Sequence, residues 1–210
     1  MSARLAALRT ADQLAPDSAQ VGTGSPLGSW AALAGVLDTD EVARRTRVGL
    51  GAVTSVQTLE ALLGLPWGLP VPTGALSVQE RRALAAAPAG CVEQVPDGII
   101  RRVRPPLTPV LAVIPATRGW QAGLMAAGRY APFCARAMVL RRPPRDVATA
   151  CLEADYWGVG LIIAHLGDPE VLVPPEPYRP HRHTARRWWF AEQVHQALAA
   201  QDDAPAAGAA

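Results

Sequence analysis

Short apolar runs alternate with helix-patterned segments over the second half of the chain, and this alternation constrains the fold more than any other feature. Apolar runs of strand length predict strands at residues 99–104, 110–114, 137–140, 158–164 and 170–173. Apolar residues at spacings of three and four predict helices at about 120–130, 145–154 and 184–199. Alternating strands and helices form a sheet with helices packed on it, so we expect a mixed-sheet α/β domain over residues 77–200.

The remaining residues differ from this domain in composition. Residues 1–28 contain a possible short helix at 3–14 and then several Pro and Gly residues, which predicts a flexible N-terminal arm. Residues 29–76 carry a helical pattern and are predicted to form a separate three-helix module. The last ten residues, 201–210, are small or polar and are expected to be a disordered tail.

The helical module shows start and stop signals for three helices. Ser29 can cap a first helix that ends at Leu37, and Asp38 or the residue after it can cap a second, with Glu41 placed to complete a capping box. A third helix is predicted at 52–63 from its apolar spacing. In the α/β part, Ser77 and Glu80 form a further capping-box pattern.

The stretch DTDEVARRTRVGLGAVTSVQTLEALLGL, residues 38–65, places two helices around a glycine-containing turn. It resembles the winged-helix family of bacterial transcription regulators, with Ala43 at the small packing position and Val48 as the apolar plug. The resemblance implies two sets of DNA-binding residues. The exposed face of the recognition helix would carry Thr54, Ser55, Gln57 and Thr58, and the DNA backbone would be flanked by Arg44, Arg45 and Arg47. A module that only packs or dimerises remains the alternative.

The α/β part resembles the restriction-endonuclease-like, PD-(D/E)xK superfamily in the order of its elements. In that family two carboxylates hold Mg²⁺ and a lysine positions or activates the attacking water. The resemblance places Asp97 of VPDGII at the first acidic position, Ile114 at the glutamate position and Ala116 at the lysine position. Neither Ile nor Ala can bind a metal or move a proton. The resemblance therefore implies a catalytically inactive nuclease-like domain, with no cofactor and no metal.

Two pairs of residues keep metal chemistry open as an alternative. Glu153 and Asp155 could form the relocated site of an active nuclease. His181 and His183 have the spacing of a metal pair, but a zinc site needs three or four ligands. We interpret the two histidines as part of an arginine-rich surface turn.

All twenty cationic residues are arginine, although the formal net charge is only +2. The planar guanidinium suits phosphate groups better than the lysine ammonium does. Three clusters are expected to face an anionic partner, and three residues of the last cluster, Arg182, Arg186 and Arg187, are predicted to bind DNA. The clusters are Arg101, Arg102 and Arg104 on a predicted edge strand, then Arg141, Arg142 and Arg145, and finally Arg179, Arg182, Arg186 and Arg187.

Trp188, Trp189 and Phe190 are consecutive on the last predicted helix and span about 200° of its circumference. Phe190 continues into Val194 and Leu198 at spacings of four, so we expect it in the core. At least one of the two tryptophans is then expected at a homodimer interface.

Together these features predict a DNA-binding regulatory protein with an inactive nuclease-like domain. We expect DNA and a second copy of the chain as partners, no membrane contact and a cytoplasmic location. The three cysteines show no CxxC spacing, which fits reduced thiols. The alternatives are a protein-interaction or assembly factor that does not bind DNA, and a metal-dependent nuclease with relocated residues.

Overall fold

The computed structural model describes residues 2–164, 169–180 and 182–202. These residues form a mixed α/β structure, which confirms the predicted fold class. The helices are α1 Ala3–Leu14, α2 Thr39–Val48, α3 Val56–Gly64, α4 Val78–Ala85, α5 Trp120–Gly128, α6 Val147–Tyr156 and α7 Ala185–Asp202. The strands are β1 Ala19–Gly24, β2 Ala31–Leu37, β3 Pro70–Val71, β4 Val92–Val95, β5 Gly98–Arg101, β6 Leu107–Pro115, β7 Ala135–Leu140, β8 Val159–Ile163 and β9 Glu170–Val173.

The chain divides into two compact units, each built from separated segments. Unit 1 contains the described residues of Met1–Val36, Pro109–Pro180 and Gln196–Ala210, and unit 2 those of Leu37–Thr108 and His181–His195. This division differs from the predicted one, in which 29–76 stands apart from 77–200. The reason is that Leu84 of α4 is buried in the same core as Leu59 of α3, so α4 belongs with the preceding helices.

The six-stranded sheet of unit 1 has the order β1-β2-β6-β7-β8-β9. Strands β6, β7 and β8 are parallel, with α5 connecting the first pair and α6 the second, and β9 is antiparallel to β8. Gly123 of α5 allows the helix to lie close to the sheet, because an added Cβ would come within 2.5 Å of the Ala116 Cβ. All four strands β6 to β9 and both connecting helices were predicted, with ends that differ by a few residues.

The predicted flexible arm at residues 1–28 is instead a helix and a strand. The alanine face of α1 is buried, with Ala7 and Ala11 fully inaccessible. Strand β1 pairs with β2 in antiparallel register, and its glycines lie against α7, since a Cβ on Gly24 would come within 2.9 Å of the Ala197 Cβ. Gly24 therefore serves close packing, whereas the sequence pattern suggested a loop.

The first predicted helix of the module, after Ser29, is strand β2. The segment AALAGVL is apolar along its whole length, and its first five residues are buried. A short apolar run of this kind fits a buried strand or a buried helix equally well. Alanine favours the helix intrinsically, but pairing with β1 and a place inside the sheet outweigh that small preference.

Unit 2 combines α2, α3 and α4 with a three-stranded antiparallel sheet in the order β3-β5-β4. Because β5 is the central strand, the prediction that Arg101 lies on an edge strand is wrong. Gly98 begins β5 where a Cβ would collide with the backbone of Val71 on β3. The first residues of α7 complete this unit, and Trp188 joins its core.

The predicted caps at Asp38 and Ser77 are confirmed, whereas those assigned to Ser29 and Glu41 are not. Asp38 caps α2 by accepting the Glu41 N–H at 3.1 Å, and Ser77 and Glu80 form a complete capping box at α4. Glu41, predicted to close a second box, instead directs its carboxylate at arginines. Residues 201 and 202, which were predicted to belong to a disordered tail, instead end α7. The rest of the predicted tail, 203–210, lies outside the described residues, as does His181.

None of the helices in the described part of the chain is long and apolar enough to span a bilayer.

Candidate nucleic-acid interface

Three ionised side chains meet in the interior of unit 2. The Arg45 guanidinium donates Nη1 to Glu192 Oε2 and Nη2 to Glu192 Oε1, both at 2.7 Å, and its Nε donates to Glu41 Oε1 at 2.9 Å. Glu41, Arg45 and Glu192 are each at most 2% exposed. We call these three residues the buried ionic cluster.

Each of the three residues of the cluster also has hydrogen-bond partners outside it. Glu192 also accepts the Trp188 Nε1–H at 2.8 Å and the Val53 N–H at 3.1 Å. Arg45 donates to the Arg104 carbonyl oxygen at 2.8 Å. The cluster therefore ties α2 to α7 and to the turn before α3, and it satisfies the hydrogen-bonding capacity that burial would otherwise leave unmet.

The pKa directions agree with ionised groups. Burial by itself raises the pKa of Glu41, but hydrogen bonds from Arg44 and Arg45 outweigh it and hold that pKa below its ordinary value. Burial lowers the pKa of Arg45, and the bonds and charges of Glu192 and Glu41 more than reverse this. Nearby, burial raises the pKa of the Cys91 thiol to about 11, so this buried thiol is protonated and unreactive at neutral pH.

Arg45 was predicted to bind DNA, but it is buried in the ionic cluster. A guanidinium that is 2% exposed and paired with two carboxylates cannot reach a phosphate. Arg44 is also engaged, donating to Glu41 and to the Gly90 carbonyl oxygen at 3.0 Å, whereas Arg47 is exposed. The pattern could not distinguish these arginines, because all three are adjacent on one short helix.

The predicted recognition helix also differs from the expectation. Helices α2 and α3 are joined by residues 49–55, which is longer than the three or four residues of a helix-turn-helix turn. Thr58 is buried at 4% exposure, and Ser55 is the N-cap of α3. Thr54 precedes the helix, so of the four predicted reading residues Gln57 alone is an exposed residue within it.

A second helix of unit 2 exposes polar side chains that the sequence prediction did not include among the site residues. Helix α4 exposes Gln79 and Arg82, and both border an open groove of about 730 Å³ between α3 and α4. Gln57 lines the same groove from α3. Most of the lining residues are polar: Ser55, Gln57, Thr58, Glu60, Ser77, Gln79, Glu80 and Arg82, beside Ala61, Ala83 and Ala86. The available signal was the Ser77–Glu80 capping box, which marks the start of α4.

The β4–β5 hairpin follows α4 directly. Its turn contains Pro96 and Asp97, both exposed, and Arg102 just after the hairpin pairs with Glu93 at 2.7 Å. The elements follow one another as β3, α4, β4 and β5, and β5 lies between β3 and β4 in the sheet. The signal was the VPDGII turn, which we assigned to a nuclease acidic position.

The three arginine clusters differ in exposure and in how many of their side chains already have partners within the protein. Arg101 and Arg104 stack near the Trp67 ring, at 5.9 and 5.0 Å from its centroid, and Arg104 also pairs with Asp38. This first cluster is largely engaged within unit 2. The second cluster is exposed at all three positions, Arg141, Arg142 and Arg145. In the third, Arg179, Arg182 and Arg186 are exposed and Arg187 is half-buried, with Arg186 near the Trp189 ring.

The predicted nuclease positions are divided between the two units. Asp97 lies in the β4–β5 turn of unit 2, whereas Ile114 is 3% exposed on β6 of unit 1 and Ala116 follows that strand. The three positions that the resemblance proposes therefore do not form a site within either unit. Glu153 and Asp155 are exposed on α6. Within the described residues, no three His, Cys, Asp or Glu side chains gather into a possible metal site.

The last helix buries more aromatic surface than predicted. Phe190 is fully buried, and Val194 and Leu198 follow it at 1% and 4% exposure, as expected. Trp188 is also buried, at 3%, and Trp189 is half-buried against the core of unit 2. Trp189 keeps part of its surface accessible, so the expectation of a tryptophan at a dimer interface stays a prediction and falls on this residue.

Comparison of the chain with models of known protein families, with curated proteins and with solved structures finds no match.

Proposed function

We propose that the chain is a cytoplasmic DNA-binding regulatory protein in which unit 2 contacts duplex DNA and unit 1 has no catalytic role. The observation that carries the proposal is the exposed pair Gln79 and Arg82 on α4, immediately followed by the β4–β5 hairpin. In this proposal α4 replaces α3 as the recognition helix.

The chemistry of the exposed pair supports this assignment. Glutamine can pair bidentately with adenine and arginine with guanine in the major groove. Helix α4 has eight residues and is therefore about 12 Å long, which is enough to follow about three base pairs. The β4–β5 hairpin would lie along the neighbouring backbone.

The buried ionic cluster supports the proposal indirectly. A recognition surface needs supporting residues whose positions are held by packing and hydrogen bonds. The bidentate contact between Arg45 and Glu192 connects α2 to α7, and the Val53 N–H contact adds the residues before α3. These bonds hold the segment that leads into α3, the helix that forms one wall of the groove.

The test is selection of bound duplexes from a random-sequence pool, followed by mobility shifts over a salt series. The full chain should enrich a short motif, and its affinity should fall steeply with salt as arginines release counterions. The double variant Gln79→Ala and Arg82→Ala should lose about 1–3 kcal/mol per base contact for the motif. Arg129→Ala, an exposed arginine of unit 1, serves as the matched control. No enriched motif, or equal affinity of the double variant, contradicts the proposal.

An assembly function is the second candidate, favoured by exposed apolar side chains on unit 1. Met125 of α5 and Leu152 and Tyr156 of α6 are 78%, 72% and 80% exposed, and Leu152 and Tyr156 are four residues apart on one helix face. Large apolar side chains of this kind occur at protein interfaces. Sedimentation of the full chain and of Leu152→Glu would reveal self-association through this face.

A further inference from the structure

Unit 1 carries a pocket of about 380 Å³ at the ends of two parallel strands. Ala116 and Thr117 directly follow β6, and Val139 and Leu140 are the last residues of β7. Ala3 of α1 forms another part of the wall. In open α/β sheets ligands bind outside the carboxyl ends of the strands, and this volume is in the range of small-molecule sites.

The charged residues that line the pocket are all positive. Arg141 and Arg142, the two residues after β7, complete the lining, and both are exposed. The seven lining residues include no carboxylate, and the first turn of α1 contains no acidic residue. Over residues 2–164, 169–180 and 182–202, neither Arg141 nor Arg142 forms an ion pair.

The absence of an ion pair distinguishes Arg141 and Arg142 from three arginines that are paired with carboxylates. Arg45 is paired with Glu192, Arg102 with Glu93 and Arg104 with Asp38. With respect to the described residues, the donors of Arg141 and Arg142 are therefore available for a ligand. Guanidinium groups bind phosphate oxygens through parallel N–H bonds, and the Thr117 hydroxyl offers a further donor at the same wall.

We propose that this pocket binds a phosphate group through Arg141 and Arg142. The phosphate belongs to a nucleic-acid strand, as a phosphodiester or a terminal phosphate, or is a free phosphate ion. The site goes beyond the proposed function, which places duplex contact on α4 of unit 2. It also gives unit 1 a binding role that requires no catalytic residue.

The small side chains explain why the pocket exists. Ala116 and Ala3 leave room at the wall, and Gly123 of α5 already lies against Ala116. A bulky substitution at Ala116 would crowd both the pocket wall and Gly123 of α5 without changing either arginine. Ala116→Leu is therefore a test of shape that is independent of charge.

The experiment is a titration of the ¹⁵N-labelled full chain with inorganic phosphate at constant ionic strength, followed by amide chemical shifts. Saturable shifts should centre on Thr117, Arg141 and Arg142. Arg141→Ala with Arg142→Ala, and separately Ala116→Leu, should weaken phosphate binding at least about tenfold, which corresponds to about 1.4 kcal/mol. Arg129→Ala should bind as the parent does. The amide spectrum of each variant also reports whether it is folded.

Two single strands of one sequence, with and without a 5′-phosphate, then identify the source of the phosphate. Equal shifts indicate a phosphodiester, a response to the phosphorylated strand alone indicates a terminal phosphate, and a response to inorganic phosphate alone indicates a free ion. Absence of saturable shifts in the parent, or unchanged binding by the double arginine variant, overturns the proposal. Gln79→Ala with Arg82→Ala should leave these shifts intact, so failure of duplex binding by unit 2 is distinguishable from failure of this site.

Discussion

Arg45 and Glu192 face each other end to end across 147 residues of sequence, with two parallel hydrogen bonds of 2.7 Å. Both side chains are almost completely inaccessible to water. The pair joins the second helix to the last, and each charge is tolerated in the interior only because the other is present.

Replacement of Arg45 by Met should strongly destabilise the fold, because it leaves the carboxylates of Glu41 and Glu192 buried without their shared cation. We expect a loss of about 3–5 kcal/mol in the free energy of unfolding, measured by urea denaturation. Arg47→Met, two residues away and exposed, should change it by less than about 0.5 kcal/mol. A small effect at Arg45 would show that water or rearrangement compensates the cluster.

Acid should remove the contribution of Glu41 to stability. Its pKa is held below the ordinary value of 4.5 in the folded chain, so the stabilisation is present above that value and is lost as the pH falls through the folded pKa. Glu41→Gln should therefore be less stable than the parent at neutral pH, and the two should converge as the pH falls below 4.5 and through the folded pKa of Glu41. The measurement is denaturation at a series of pH values.

The surface pair provides the control for this pH dependence. Glu93 lies in a half-exposed pair with Arg102, so Glu93→Gln should change stability by less than about 1 kcal/mol at neutral pH. A gap between the parent and Glu41→Gln that stays constant from neutral to acid pH would contradict the role assigned to the Glu41 charge.

Gly98→Ala should disrupt the three-stranded sheet of unit 2. An added Cβ would collide with the Val71 carbonyl group on β3, and the neighbouring backbone cannot move without breaking the β3–β5 pairing. We expect a loss of more than about 1 kcal/mol in unfolding free energy and weaker duplex binding. Gly51→Ala is the matched control, since no atom lies within 4 Å of its Cβ position. Equal stability of the two variants would contradict the close approach.

The chain should not cleave DNA or RNA in the presence of Mg²⁺ or Mn²⁺. Ile114 and Ala116 cannot hold a metal, and Ile114 is buried within the sheet. The measurement is digestion of labelled duplex and single strands over long incubations. Metal-dependent cleavage that disappears in Asp97→Ala or in Glu153→Ala would reverse this expectation and restore the nuclease alternative.

Local patterns predicted the α/β class and most elements of unit 1. Strands β6 to β9 are apolar runs of ordinary length, and α5 and α6 follow from helical spacing, so each is visible within its own segment. The Ser77–Glu80 capping box is likewise local, because both bonds close within four residues. The alanine face of α1 was recognised as helical, although its burial was not.

Part of the candidate interface was also visible in the sequence. Gln57 is exposed beside the α3–α4 groove, as its place on an outward helix face suggested. Gln79 and Arg82 were missed because α4 was assigned to the other domain. Arg141 and Arg142 were noted only as a basic cluster, since nothing local places the ends of two strands around a common pocket.

The amino-acid sequence by itself determined the periodicities, the caps and the composition of each segment, because these depend on neighbours within a few residues. Only the tertiary structure decided that residues 31–37 form a strand, that Arg45 is buried and that unit 2 is assembled from separated segments. Each of these outcomes depends on burial by distant partners: β1 beside β2, Glu192 opposite Arg45 and Trp188 in the core with Leu59. Burial energy is a property of the assembled core, and the linear pattern of one segment does not contain it.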